Sequence, residues 1–263
     1  MNTSQKISSK KVSSKKISSQ KISSKKIILT KIENKSIPKI IHQIWLGPRP
    51  IPKLWTDTWI IFCKKYNWKY YLWTDKHIEK FKLKNKKEYD NAKSFQQKSD
   101  ILRYEILYHY GGIYLDVDMI WLGLDLEKYL KLKNFIGVQE PYSTYYPVIG
   151  RPYLANGFLG TSKKHPILKR CIDLIPKRIN ISNRPFISTG PGLLSYAARD
   201  YMINLIPETW IFPVEFNKFS TGDYKEYINK GLIFTKSGFE YPDNVSSIKN
   251  YIFNVIERLI KLN

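Results

Sequence analysis

Apolar and polar positions along the 263-residue chain fall into blocks of different period, and those blocks predict alternating strands and helices. The run Lys39-Ile-Ile-His-Gln-Ile-Trp-Leu46 follows Pro38 and ends at Gly47-Pro48, which predicts a buried strand and its exit loop. Residues 53–65 read as a helix and Trp68–Trp73 as a second strand, while Thr74-Asp75 can cap a short helix beginning at Lys76. This alternation suggests a βαβ unit. A longer helix is expected over Ser99–Tyr110, stopped by Gly111-Gly112 because glycine accepts the left-handed backbone of a helix end. The chain then runs directly into Ile113-Tyr-Leu-Asp-Val-Asp118. Further strands are expected near 135–138 and 157–161, and helices near 166–176 and 191–201. A last helix over 247–262 would use Ile248, Ile252, Val255, Ile256, Leu259 and Ile260 as its packing face.

The beginning of the chain breaks this pattern. From Lys6 a five-residue unit of the type Lys-Ile-Ser-Ser-Lys repeats four times, a period that matches neither helix nor strand. One apolar residue in five cannot offset the entropy of ordering, so residues 1–30 are expected to be a disordered Lys/Ser-rich arm and residues 31–263 one folded domain. The net charge of +22 suggests a polyanionic partner, but eight of those charges are lysines of residues 1–26, where no acid occurs; fourteen are left for the remainder. The arm is a solvated linker or a tether to anionic surfaces. No stretch reaches the ~18 consecutive apolar residues of a membrane span. The N-terminus also lacks the apolar run of a secretory signal. Cys63 and Cys171 form no Cys-X-X-Cys pair or disulfide framework. These features together give a cytoplasmic protein without a transmembrane segment as the expectation.

The chemistry concentrates around Asp116 and Asp118. Side chains alternate along a strand, so the two carboxylates can project to one side at the end of an apolar strand. Oxygen ligands of that kind suit Mn2+ or Mg2+, which keep open positions for substrate phosphates. Asp-X-Asp alone is also a common solvated turn, and its context is what makes it informative. Asp100 and Arg103 share a helix face three residues apart, where they form either an ordinary ion pair or part of a pocket holding sugar hydroxyls and a phosphate.

Ser99-Asp100-X-X-Arg103, Gly111-Gly112-Ile-Tyr-X-Asp116-X-Asp118 and Ile40-Ile-His-Gln-Ile-Trp45 together resemble glycosyltransferase family 32, the Asp-X-Asp family that includes yeast initiating mannosyltransferases. The chain is also similar to the catalytic domain of the large clostridial glucosylating toxins. The resemblance covers roughly residues 37–215. It implies an α/β fold of GT-A type, a Rossmann-like mixed sheet flanked by helices. It further implies a nucleotide-diphosphate sugar donor, a UDP-sugar in preference to GDP-mannose, and a glycan or protein acceptor. Mn2+ or Mg2+ and retention of anomeric configuration follow from it as well. In this reading Ile44 and Trp45 contact the donor, with Trp45 stacked on the base; a core tryptophan is the alternative for Trp45. Asp100 and Arg103 bind the sugar, Tyr114 and Asp116 contact the donor, and Asp116 and Asp118 hold the metal. Asn156 matches a position near the reacting sugar or is a turn asparagine, and Thr189-Gly-Pro191 matches a loop that opens a helix beside the site.

One departure stands out. The late His or Glu followed by Ser and Trp that completes the family's metal site is missing, since no histidine follows His165 and no tryptophan follows Trp210. Ser237 is a remnant, and Asp223 or Glu240 is a candidate replacement. Two other functions remain open at this level: a nucleic-acid or polyanion binder working through the arm, and a catalytically silent nucleotide-sugar binder.

Overall fold

A computed structural model describes residues 35–123, 125–130, 134–139, 153–211 and 233–234 of the chain. In chain order the elements are β1 (Ile40–Ile44), α1 (Lys53–Tyr66), β2 (Lys69–Trp73), α2 (Asp75–Ile78), α3 (Lys86–Asp90), α4 (Phe95–Tyr110), β3 (Gly112–Leu115), β4 (Met119–Ile120), α5 (Glu127–Leu130), β5 (Phe135–Val138), β6 (Phe158–Thr161), α6 (Pro166–Arg178), α7 (Pro185–Ser188), α8 (Pro191–Ala198), β7 (Asn204–Ile206), α9 (Glu208–Ile211) and β8 (Ile233–Phe234). The arm, the expected C-terminal helix, and Asp223, Ser237 and Glu240 lie outside the described residues. No helix among the described residues is long and apolar enough to cross a membrane.

Six strands form one mixed sheet in the order β2-β1-β3-β6-β5-β7, and β4 pairs with β8 separately. β1 runs parallel to both β2 and β3, β6 is antiparallel to β3 and β5, and β7 is parallel to β5. β3 is buried at every position, as a central strand with both faces covered must be. Its alternation separates two cores. Tyr114 joins the side packed by α4, α6 and α8, whereas Ile113 and Leu115 join the side packed by α1, with Trp59, Phe62 and Trp121. A Rossmann-like mixed sheet flanked by helices is therefore the architecture, as the sequence led one to expect.

Two local features differ from the sequence reading. α4 begins at Phe95, four residues earlier than expected, because Ser94 Oγ accepts the Gln97 amide at 3.1 Å and so caps the helix. The Ser94-Phe-Gln-Gln97 spacing carried that signal. Secondly, β3 ends at Leu115, so Asp116 and Asp118 do not share a strand pleat. They occupy a turn closed by the Met119 amide on the Asp116 carbonyl, 3.0 Å.

The junction of α4 with β3 is tight. Gly112, at φ +103°, would place a Cβ 2.6 Å from the Ile40 carbonyl, so no larger residue fits where β3 meets β1. Beside it lies His42, fully buried, with Nδ1 accepting from Trp73 Nε1 (3.1 Å) and Nε2 facing the Gly111 carbonyl (2.9 Å). Burial lowers its pKa to about 4 despite that carbonyl, so His42 is a neutral tie between β1, β2 and the end of α4.

α6 contains Pro176, which cannot donate to the carbonyl of Ile172; Asn85 Nδ2 donates to it instead, at 3.0 Å. Asn85 is fixed in turn by Glu105 of α4. The Glu105 carboxylate, fully buried, accepts the amides of Lys84 (2.7 Å) and Asn85 (2.8 Å) where α3 begins. Glu105→Ala strips both amides of a buried acceptor and is expected to cost about 2–4 kcal/mol, with Glu105→Gln costing less. Urea denaturation measures this, and a loss below about 0.5 kcal/mol would contradict the assignment.

Candidate functional site

The site forms where α4 crosses the carboxyl ends of β1 and β3. These are adjacent parallel strands, and the crevice beyond such ends is where α/β sheets place ligands. Trp45 leaves β1 and Asp116 leaves β3, so the sheet brings together residues 71 positions apart in sequence. Gln43 of β1 links the two exits: its Nε2 donates to the Asp116 carbonyl at 3.3 Å, and its Oε1 accepts from the Tyr70 hydroxyl at 2.7 Å. On the other side, Trp59 Nε1 donates to the Met119 carbonyl (2.7 Å) and Thr58 Oγ1 accepts the Trp121 amide (3.1 Å), which fixes the segment after the turn to α1.

Arg103 is the hub of this arrangement. Its guanidinium donates to the Asn156 carbonyl (2.7 Å), the Ser99 hydroxyl (3.1 Å) and the Ser99 carbonyl (3.3 Å). It also lies 3.3 Å from Asp100 Oδ1 and 3.2 Å from Asp116 Oδ1, and stacks over the Tyr114 ring with its carbon 4.4 Å from the centroid. Burial opposes the charge, but Asp116, Tyr114 and Asp100 outweigh it and keep Arg103 protonated.

Asp100 is buried and satisfied on both oxygens. Oδ1 accepts from Asn156 Nδ2 at 2.7 Å and Oδ2 from Thr189 Oγ1 at 2.8 Å. Burial raises its pKa to about 6 against the pull of Arg103, Thr189 and Asn156. Tyr104, one turn along α4, donates its hydroxyl to the Thr189 carbonyl at 2.8 Å, so the Thr189-Gly190 loop that opens α8 is held from two directions. The spacing Asp100–Arg103 therefore does more than form a surface helical pair, because both members are buried and each binds residues from distant loops.

Asp116 is the exposed member, with about a third of its side chain open (32%). Tyr114 donates its hydroxyl to Asp116 Oδ1 at 2.7 Å. Asp118 is half-buried, and loss of water together with the Asp116 charge raises its pKa well above the ordinary carboxylate range. Such a pair fits a divalent cation: the ligands are hard oxygens, and a positive ion would relieve the repulsion that now favours a proton on Asp118. Space is provided as well, since a Cβ on Gly157 would sit 2.5 Å from Asp116 Oδ2. Among the described residues no group of three His, Cys, Asp or Glu side chains converges, so the turn brings two carboxylates rather than a full set of protein ligands.

Most residues singled out in the sequence meet in this crevice: Asp100, Arg103, Tyr114, Asp116 and Asn156 form one hydrogen-bonded network, with Asp118 across the turn. Trp45 is half-buried at the crevice, its Nε1 donating to the Arg49 carbonyl at 2.8 Å. The Ile44 side chain lies in the α4-side core, which leaves only its backbone for a ligand. Gln43, Tyr104 and Gly157 were not singled out. Gln43 and Tyr104 sit inside runs that read as buried strand and helix, and Gly157 read as the first residue of the strand expected over 157–161. Gly157→Ala, at a position outside the left-handed region, is expected to leave the fold intact and displace the Asp116 carboxylate. Calorimetry should then show binding of Mn2+ with a nucleoside diphosphate weakened about tenfold or more, about 1.4 kcal/mol; unchanged binding would refute the cradle.

Residues 53–134 match the family described as the glycosyltransferase sugar-binding region containing the DXD motif. An uncharacterized glycosyltransferase of Acanthamoeba polyphaga mimivirus is 33% identical over 178 residues, which is 64% of this chain and 67% of that protein. Inositol phosphoceramide mannosyltransferase 1 of Schizosaccharomyces pombe is 30% identical over 184 residues, covering 65% of this chain and 54% of the relative. The chain thus spans about half the length of the Schizosaccharomyces pombe enzyme. Among solved structures, the PaToxG glycosyltransferase superposes with a TM-score of 0.49 at 23% identity, over 63% of this chain and 70% of that one. From the shared motif region and the two-thirds coverage of the viral relative, the chain belongs to the glycosyltransferases whose sugar-binding region contains the DXD motif.

Proposed function

We propose that this chain transfers a sugar from a nucleoside diphosphate donor to an acceptor hydroxyl, with a divalent cation held by Asp116 and Asp118. The observation that supports it most is the placement of the Asp116–Asp118 turn beyond adjacent parallel strand ends, with a buried Asp100–Arg103–Asn156–Thr189 network behind it. A bound Mn2+ or Mg2+ would supply charge neutralisation at the departing diphosphate. The protein's own contribution is preorganisation. Arg103 and the Tyr114 hydroxyl fix Asp116 Oδ1, Gln43 fixes the Asp116 carbonyl, and neither the turn nor its carboxylates need to rearrange when the donor arrives. Asp100, Asn156 and Thr189, buried and bonded to one another, brace the sugar side of the crevice from behind, and Trp45 offers a half-buried indole for the base.

In this reading the acceptor hydroxyl attacks from the face the diphosphate leaves, so the anomeric configuration is retained. The name of the Schizosaccharomyces pombe relative specifies mannosyl transfer to inositol phosphoceramide, which supports a hexose donor and puts GDP-mannose beside UDP-sugars in the panel to be tested. Assayed with Mn2+ across that panel, wild-type protein is expected to hydrolyse or transfer one donor, and Asp118→Asn to lose at least about a hundredfold in rate. Turnover by Asp118→Asn at the wild-type rate would overturn the assignment. Donor binding by the wild type without turnover on any donor would instead identify a silent nucleotide-sugar binder.

A further inference from the structure

Beyond the crevice, α6 and α8 carry a second concentration of charge that the sugar-transfer reading does not use. Three arginine guanidiniums surround the ring of Tyr196, with their carbons 4.1 Å (Arg199), 4.7 Å (Arg178) and 5.8 Å (Arg170) from its centroid. Arg170 and Arg178 lie eight residues apart on α6, roughly one helical stripe, and Arg199 follows directly after α8. The packing of Cys171 and Ile175 of α6 with Leu194 and Ala197 of α8 in one core brings them together.

Among the described residues one acid answers the three cations. Asp200 Oδ2 accepts from Arg170 at 2.7 Å and from Arg199 at 3.3 Å. Arg178 has no carboxylate partner among the described residues, and its Nε is buried without a hydrogen-bond partner. Stacking on Tyr196 alone would hold the helices together with one arginine; it does not account for the convergence of three. The Arg178 Nε–H is enclosed, so the terminal Nη groups of the half-buried Arg178 and of its two neighbours are the donors that suit a tetrahedral oxyanion. We propose that Arg170, Arg178 and Arg199 around Tyr196 form an anion site for a phosphate group, separate from the donor crevice. α8 has its first residues beside Thr189 and Asp100 and its last beside this cluster, so the two sites lie at opposite ends of one helix. The phosphate can belong to a soluble phosphomonoester or to a lipid headgroup.

Nitrogen-15 NMR of the arginine Nε–H signals in the full chain tests this. Titration with inorganic phosphate is expected to shift Arg178 saturably, with Arg170 and Arg199 following, while chloride at equal ionic strength does not. A shift that fails to saturate, or that is as large at Arg49 and Arg184, would overturn the proposal. Arg178→Gln should abolish the saturable shift of Arg170 and Arg199 while keeping the wild-type melting temperature. If that variant does not fold, Arg178→Lys carries the test: the charge remains but the fork is gone, and at least fivefold weaker phosphate binding is expected, whereas wild-type binding would refute the site. Co-sedimentation with phosphatidylcholine vesicles with or without phosphatidylinositol phosphate separates the sources. Headgroup-dependent binding weakened at least fivefold in the same variant assigns the lipid, and vesicle binding indifferent to it, beside a saturable phosphate shift, assigns a soluble phosphomonoester.

Discussion

A single buried guanidinium organises the functional end of this molecule. Arg103 lies between Asp100 and Asp116, donates to Ser99 and to the Asn156 carbonyl, and stacks on Tyr114. Breaking a buried ion pair by removing one partner costs about 3–5 kcal/mol, because the other charge is left without compensation in a poorly solvated place. Here the loss would spread further. Without Arg103, Asp116 would keep only the Tyr114 hydroxyl on Oδ1, and the Asn156 loop would lose one of its two 2.7 Å ties to α4. Orientation of the exposed carboxylate and closure of the sheet around the crevice therefore rest on the same contact.

Much of this was legible from residue order. The apolar run at β1, the glycine stop after α4 and the Ser99–Asp118 block identified the strands, the long helix and the acidic pair. The local geometry of that pair was not. Ile113-Tyr-Leu-Asp-Val-Asp118 continues the alternation of a strand, yet the chain turns at Asp116 because the Met119 amide bonds back to it and because Gln43, Trp59 and Thr58 hold both sides of the turn. Those ties come from residues about 60 to 70 positions earlier and have no signature in local pattern. Short helices such as α3 and α7 escaped for a related reason. α3 is set by Glu105 reaching the amides at its start, a tertiary contact rather than a run of strong helix formers.

The relatives and the crevice point to one chemistry, while charge elsewhere on the molecule points outward. A strongly basic sequence with eight lysines in its first 26 residues, and an arginine cluster at the far end of α8, both favour anionic partners. The two proposals place donor handling and anion recognition in different parts of the chain, with α8 extending from one to the other.

The central claim is that Asp116 and Asp118 hold a divalent cation against a diphosphate. Titrating the Asp118 carboxyl by carbon-13 NMR tests it most directly. Without metal its midpoint is expected well above the ordinary value of about 3.9, as burial and the neighbouring Asp116 charge require. With Mg2+ and a nucleoside diphosphate present it should fall to or below the ordinary range. An Asp118 midpoint that stays where it was when Mg2+ and the nucleotide are added would contradict the account.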